Sequence, residues 1–301
     1  MSEWIEYKVA DLGRVLTGKT PKTSNREYYD GIIPFITPSD DMTVKYIYHT
    51  SKTLTEEGAQ SVKNSIIPAG TICVSCIGSD LGKVVITTER SVTNQQINSI
   101  IVDESKFNLD FVYYVMTMLG KLMNHHSKTS TAVPIVNKSQ FSDYSFMCPD
   151  IEQQSKIGAM LAALDKKIET NNKINRNLSE QAKALFEEEL LKFDSVPEGW
   201  KKGSLSDIAD YLNGLAMQKF RPGDDEKGLP VLKIKELRQG SCDANSELCS
   251  LNIKPEYIIH DGDVIFSWSG SLLVDFWCGG ECGLNQHLFK VTSKKYDKWF
   301  Y

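Results

Sequence analysis

From Ile157 to Leu185, apolar side chains recur on a four-three spacing: Ile157, Leu161, Leu164, Ile168, then Leu178, Ala182 and Leu185. The same spacing passes through Asn171 and Asn175 in the middle of the run. A stripe of this kind predicts a long helix of coiled-coil type, about 40 residues or roughly 60 Å at 1.5 Å per residue. Its start is marked by Pro149 before Asp150, a good N-cap, with Gln153 at the capping-box position. On either side the pattern shortens to β-type runs, "GTICVSC", "KVVITT", "INSIIV", "GDVIFSW" and "HLFKVTS", bounded by Gly, Pro, Asn and Asp turns. "NLDFVYYVMTMLGKLM" (108–123) predicts a second helix, and "VADLGRVLTG" and "LSDIADYLNG" each predict a short helix closed by glycine. The class is mixed α/β (α+β), with a long helix between sheet-bearing regions.

Those two short helices open two copies of one pattern. At a constant offset Trp4 falls on Trp200, Val9 on Leu205, Asp11 on Asp207, Leu12 on Ile208, Leu16 on Leu212 and Gly18 on Gly214. The offset still holds at "IPFI" (33–36) and "LPVL" (229–232); after a short slip "AGTICVSCIGS" (69–79) meets "DGDVIFSWSGS" (261–271), and "NQQ" (94–96) meets "NQH" (285–287). A repeat of this length defines domains: 1–149, a helix over 150–194, and 195–301. The second copy reads as incomplete, reaching "KWFY" near the start of its last helix, with a second long helix missing.

Asparagine fills neither a helix interior nor a core well. In a paired seam, though, polar positions fix register at some cost in stability. Asn171 and Asn175 therefore predict pairing through the middle of the rod, in the strongest form an antiparallel homodimer through residues 150–193. The alternative is a helix packed on its own domain with the asparagines in water.

Composition narrows the classes. The chain is 41% hydrophobic and 24% charged, ordinary for a globular protein and too apolar for disorder. The net charge is −5, and no segment is basic, which disfavours a lone non-specific nucleic-acid binder. Seven scattered cysteines, a polar and acidic N-terminus and no bilayer-length apolar run predict a cytoplasmic protein with reduced thiols.

The two copies, each opening "W…L.D…..G" and continuing through an "IP.I"-type strand and a "G…S..G" strand to "NQ", resemble the specificity subunit of type I restriction–modification enzymes. "PDIEQQSKIGAMLAALDKKIETNNKINRNL" (149–178) resembles that family's spacer helix and is the most specific match. The resemblance implies a non-catalytic reader of double-stranded DNA. Two target recognition domains each take half of a split site, and the helices set the spacing and dock methyltransferase subunits. It places S-adenosylmethionine and ATP on partner subunits, with no cofactor in this chain, and allows a restriction or motor subunit to join. A stiff rod suits two half-sites held on one duplex, whose turn is roughly 34 Å.

Base edges are read by polar side chains on loops. The candidates in the first copy are Lys19, Thr20, Lys22 and Thr23 (loop 17–25), Ser39 and Asp40 (37–41), Ser79 and Lys83 (75–83), Gln95 (93–96), and Lys128, Ser130 and Thr131 (125–133). In the second they are Gln218, Lys219 and Arg221 (216–223), Lys235 and Arg238 (233–240), Ser269 and Ser271 (267–271), and His287 (285–287). The shared "NQ" is equally readable as a structural loop.

Other chemistry is disfavoured. Cys73-x-x-Cys76 with Cys278 and Cys282 mimics a zinc set, but the repeat puts Ile265 and Trp268 opposite the first pair. Pro149-Asp150 with Asp165-Lys166-Lys167 mimics a nuclease motif, yet both parts fall on one helix, roughly 22 Å apart. His125-His126 reads as a loop pair without a nucleophile. There is no phosphate-cradling GxxxxGK[ST], S-adenosylmethionine loop or Asn-Pro-Pro-aromatic motif. The competing reading is a coiled-coil scaffold or decoy that binds methyltransferase subunits without productive DNA recognition.

Overall fold

The opening of each copy is one helical turn followed by a strand, not a ten-residue helix. Val9–Leu12 forms a 3-10 turn and Gly13–Thr17 a strand; Leu205–Ile208 forms an α-turn and Asp210–Asn213 a strand. The cause is tertiary. Gly13 (φ 147°) breaks the turn, and the residues after it are drawn into a ladder with Ile97–Val102, as Asp210–Asn213 is with Leu288–Thr292.

The computed structural model describes residues 3–127, 135–193 and 195–301. The chain divides into two units, Met1–Glu188 and Glu189–Tyr301. In the first unit one sheet runs in the order Gly13–Thr17, Ile97–Val102, Ile72–Ser75, Val84–Thr87, Tyr46–Ile47. A second runs Thr53–Leu54, Tyr29–Ile36, Ser91–Thr93, Ile66–Ile67. The second unit repeats the first four strands of the one order and all four of the other: Asp210–Asn213, Leu288–Thr292, Val264–Ser267, Leu273–Phe276, and Leu248–Cys249, Leu229–Leu232, Cys282–Leu284, Ile258–Ile259. Even the parallel pair recurs, Phe35 opposite Val92 and Val231 opposite Gly283. The duplication is thus one of topology and register.

Alternation along Ile72–Ser75 divides its side chains between two cores. Ile72 and Val74 join Val84, Ile86 and the helix Leu109–Ser127, which contributes Phe111, Val112, Val115, Met116, Leu119 and Met123. Cys73 faces the other way, with Ile36, Ile47, Ile67, Val85 and Ile97. In the second unit the equivalent inner face holds Ile265, Trp277, Cys282, Leu284 and Leu288. The long helix is α-helical over Ile151–Phe186 and continues as a π-turn over Glu187–Leu191. Asp150 caps it, its Oδ1 accepting the Gln153 N–H at 2.8 Å. His125 and His126 lie in the last turn of Leu109–Ser127 rather than in a loop: the helix continues one turn beyond Met123, its last buried apolar residue.

Candidate nucleic-acid interface

In the first unit the short segment 93–96 is a hub. Lys19 N–H donates to the Thr93 carbonyl (2.9 Å), Asn94 N–H to Ile36 (3.0 Å) and Cys76 N–H to Gln96 (2.8 Å). Three candidate loops, 17–25, 37–41 and 75–83, therefore meet at the fourth. Asn94 is buried, and its Oδ1 accepts the Gln96 N–H at 3.0 Å, closing a local turn. Gly18 passes so close that an added Cβ would lie 2.2 Å from the Asn94 carbonyl oxygen. Gln95 stands exposed at the tip, where its Oε1 accepts the Thr20 hydroxyl at 2.6 Å. Lys19, Lys22, Thr23 and Ser39 are exposed beside it.

Not every candidate points outward. Asp40 is buried; its carboxylate accepts the Thr37 N–H (2.8 Å) and hydroxyl (3.0 Å) and the Ser51 N–H (2.7 Å). It shapes the 37–41 loop from within. Lys83 pairs with Asp80 at 2.6 Å, and Ser79 and Lys83 line an open groove of about 540 Å³ with Thr43, Tyr113, Lys121 and His125. Lys128, Ser130 and Thr131 lie outside the described residues. The chain after them returns to the hub, Val136 N–H donating to the Cys76 carbonyl at 2.9 Å.

The second unit repeats the hub around 284–287. Leu215 N–H donates to Leu284 (2.9 Å), Asn285 N–H to Leu232 (3.2 Å) and Gln286 N–H to Leu215 (2.8 Å). Asn285 is buried and its Oδ1 accepts the His287 N–H at 3.2 Å; a Cβ on Gly214 would sit 2.2 Å from the Asn285 carbonyl oxygen. His287 is exposed, 6.1 Å from the Trp268 ring, which brings in loop 267–271. The Arg238 guanidinium donates to the Ser271 hydroxyl, tying in loop 233–240. Gln218 and Lys219 are exposed on the turn Met217–Lys219, and Ser269 is half-buried. Lys235 pairs with Asp243 (3.5 Å). Arg221 (3.5 Å) and Lys233 (2.6 Å) share Glu247, whose carboxyl they hold below its ordinary range, Lys233 first through its hydrogen bond. Lys83, Arg221, Lys233 and Lys235 are thus balanced by carboxylates, whereas among the described residues Lys19, Lys22, Lys219 and Arg238 make no ion pair. The surface offers hydrogen-bonding groups rather than an excess of positive charge.

The model of the type I restriction modification DNA specificity domain matches residues 1–180 and 197–301. The chain belongs to this family. It is 26% identical over 314 residues to the type I restriction enzyme MjaIX specificity subunit of Methanocaldococcus jannaschii, covering 97% of this chain and 70% of that protein. It is 34% identical over 179 residues to the HindI specificity subunit of Haemophilus influenzae, covering 59% of this chain and 39% of that one. Among solved structures, the S subunit of a type I restriction–modification system from M. genitalium shares the fold, with a TM-score of 0.52 at 15% identity, over 98% of this chain and 73% of that one. Specificity subunits are the non-catalytic members of such systems.

The specificity-domain fold also shows what the heptad stripe concealed. The long helix meets Leu109–Ser127 through Gln154, Gly158 and Asp165, off the predicted seam. Gln154 is buried, its Oε1 accepting the Asn108 N–H (3.0 Å) and its Nε2 donating to the Pro149 carbonyl (2.9 Å). The Tyr114 hydroxyl donates to Asp165 Oδ2 at 2.6 Å. Lys45 bridges the same corner, 2.7 Å from Asp110 and 4.7 Å from the Tyr114 ring centre. Of the predicted seam, Ile157 packs on the first unit's core and Leu161 is half-buried, whereas Leu164, Ile168, Asn171, Asn175, Leu178 and Leu185 are exposed.

The tempting metal chemistry is not assembled. Cys73 and Cys76 lie in different cores, and among the described residues no three His, Cys, Asp or Glu are placed to hold a metal ion. Asp150 caps the long helix while Asp165 bonds Tyr114 on the same helix, so the nuclease-like spacing does not converge.

Proposed function

We propose that this chain is the DNA-reading subunit of a type I restriction–modification complex. Its recognition domains, 1–149 and 195–301, each read one half of a split double-stranded target, and the helix 150–194 spaces them. The observation that carries this is the repeated hub: in each unit polar loops gather at one Asn-centred turn, through backbone bonds to 93–96 in the first and through backbone bonds with Leu215 and Leu232 and a Trp268–His287 contact in the second, as a shared scaffold with divergent tips requires. The equivalent Asn94 and Asn285 are scaffold. Gln95, Lys19, Lys22 and Thr23 in one unit, and His287, Gln218, Lys219 and Arg238 in the other, differ between units and carry base contacts. With a net charge of −5 and several hub cations held by carboxylates, phosphate clamping falls to the methyltransferase subunits. S-adenosylmethionine sits on those subunits, and ATP on a restriction or motor subunit where one joins.

The exposed part of the helix, Leu164 to Leu185, is the pairing surface. Its partner is a second copy, antiparallel through residues 150–193 with Asn171 and Asn175 near the two-fold axis. A cytoplasmic location follows from the role; among the described residues no helix is long and apolar enough to cross a membrane.

The test is co-purification with the methyltransferase subunit from the same source, followed by mapping of methylated adenines on genomic DNA. A single split motif is expected, and replacing residues 19–23 should change one half of it. A stable complex that methylates nothing would instead establish a scaffold or decoy. Leu164→Asp with Ile168→Asp should halve the mass of the free protein in sedimentation; a wild-type monomer at micromolar concentration would refute the pairing.

A further inference from the structure

Both hubs hold a glutamine against the same backbone frame. Gly18 N–H donates to the Ile97 carbonyl (3.1 Å) and Lys19 N–H to Thr93 (2.9 Å). In the second unit Gly214 N–H donates to Leu288 (3.0 Å) and Leu215 N–H to Leu284 (2.9 Å). The next residue is Thr20 in one unit and Ala216 in the other, and the turn beside it carries Gln95 or Gln286. Beyond Thr20 the chain is pinned again: Pro21 is buried, and its carbonyl accepts the Tyr29 hydroxyl at 2.9 Å.

A carboxamide has a donor end and an acceptor end, and its partners tell which is which. In the first unit the Thr20 hydroxyl donates to Gln95 Oε1 at 2.6 Å, and among the described residues Gln95 Nε2 has no partner. The adjacent Gln96 does not compete, since its Oε1 accepts from Asn94 Nδ2 at 3.0 Å. In the second unit residue 216 has no hydroxyl to offer, and the amide is held by its other end. Gln286 Nε2 lies 3.4 Å from His287 Nε2, with the ring nitrogen as acceptor, and Oε1 is the end without a partner among the described residues. At Gln95 the units therefore differ in the partner rather than in the residue type, and so in the kind of hydrogen-bonding group left free.

We infer that Thr20 is a positioning residue that sets base specificity: it fixes Gln95 as a hydrogen-bond donor to a base edge, whereas Gln286, held by His287, presents an acceptor. The inference rests on the reading of the two hubs as DNA-facing. In the major groove a donor meets guanine N7 or O6, adenine N7 or thymine O4, and an acceptor meets the amino group of adenine or cytosine. The base under Gln95 is then one of the first three and not cytosine; the base under Gln286 is adenine or cytosine. An exposed glutamine free to turn its amide over would read either kind. The Thr20 hydroxyl removes that freedom before DNA arrives, because it stands on backbone fixed at Lys19 on one side and Pro21 on the other.

The test uses the full chain with the methyltransferase subunit from the same source, first mapping the methylated motif and then measuring methylation of duplexes that carry it or its single-base variants. Gln95→Glu keeps an oxygen for Thr20 but replaces the free donor by an acceptor; Gln286→Glu keeps the free acceptor. Each adds one negative charge, so that penalty is common to both. Gln95→Glu should lower methylation of the wild-type motif at least about tenfold more than Gln286→Glu does. Thr20→Val removes the hydroxyl at nearly constant shape. It should relax one base-pair position, in the same half of the motif that Gln95→Glu disturbs, and Thr20→Ser should restore wild-type selectivity. Continued selectivity at the other half shows that each variant is folded. Equal losses from the two Glu substitutions would overturn the inference, as would unchanged selectivity in Thr20→Val or an effect confined to the opposite half. A wild-type complex that methylates no split motif would refute the DNA-reading role itself, and the inference with it.

Discussion

At Gly158 the long helix packs tightly against Asn108, Asp110 and Phe111, and Gly158→Ala tests that contact. A Cβ there would lie 2.6 Å from Asn108 Oδ1, 2.9 Å from the Phe111 backbone nitrogen and 3.1 Å from Asp110 Cβ. Alanine in a helix interior is worth about 1 kcal/mol over glycine, so on an open helix the change stabilises. Here two effects together outweigh it. Asn108 Oδ1 accepts the Phe111 N–H at 3.0 Å, capping the neighbouring helix, and displacing it costs about 1 kcal/mol. The Phe111 nitrogen is backbone and cannot swing aside, so the helices must part, at about 1–3 kcal/mol for overpacking. The net is a loss near 2 kcal/mol, which for a domain of this size lowers the melting midpoint by about 4–8 °C. The assay is calorimetric unfolding of the full chain, following the transition of Met1–Glu188. Ser155→Ala, at an exposed position on the same helix, is the control and should leave the midpoint within about 2 °C. A Gly158→Ala midpoint equal to or above wild type would show that the helix does not lie against Asn108 and Phe111 as described.

Lys45→Met removes the ion pair with Asp110 and the contacts over the Tyr113 and Tyr114 rings, and should cost about 1–3 kcal/mol in denaturant unfolding. Combined with Asp110→Asn it should fall short of additivity by about 1–2 kcal/mol; strict additivity would deny the pair. Thiol labelling of the native protein should modify Cys278, the exposed cysteine, first, and leave Cys73 and Cys76 unreacted; burial encloses both and pushes them up to about 12 and 11. Glu56 accepts two hydrogen bonds from Arg90 (2.7 and 2.8 Å), which with one from Gln60 lower its carboxyl from 4.5 to about 2. The folded value is depressed, so this contribution to stability is present above about pH 4.5 and is lost as pH falls towards 2. Carbon-detected NMR titration should find the low value, and Arg90→Ala should raise it towards 4.5; no change would refute the pairing.

Order and type of element were legible because they rest on local signals. Asp150 announces its helix, and "GTICVSC" and "GDVIFSW" announce strands whose registers prove equivalent. Asn94 and Asn285 align in sequence and occupy the same turn. What could not be read depends on distant partners. Arg14-Val15-Leu16 carries no pattern that separates helix from strand until Ile97–Val102 pairs with it. The inner face of the long helix was missed because its key residues, Gln154 and Gly158, are polar or small, and an apolar template passes over them. The one available signal was a buried-type glycine four residues after a glutamine within a run of good helix formers. The hubs are made by backbone bonds spanning tens of residues, so each loop was visible in the sequence and their convergence was not.

The rod is two things along its length, and that difference can be measured. Up to Asp165 it is held by Gln154, Gly158 and the Tyr114 bond, whereas every residue from 166 to 189 is exposed. That is about 36 Å of single helix. Ion pairs such as Lys173–Glu169 (2.5 Å) and Lys183–Glu187 (3.8 Å) support it only by a few tenths of a kcal/mol each. Isolated helices of this kind are marginal in water, so the outer part draws its stability from whatever covers Ile168, Leu178 and Leu185. Hydrogen exchange should therefore show amides of 155–165 protected with the first unit, and amides of about 170–186 exchanging at least tenfold faster in dilute protein. Protection of that outer segment should rise with protein concentration if a second copy pairs with it, and should rise on addition of the methyltransferase subunit if that is the cover. Uniform, concentration-independent protection through Phe186 in the chain alone would show that the rod is stable without a partner, and would remove the physical case for pairing through it.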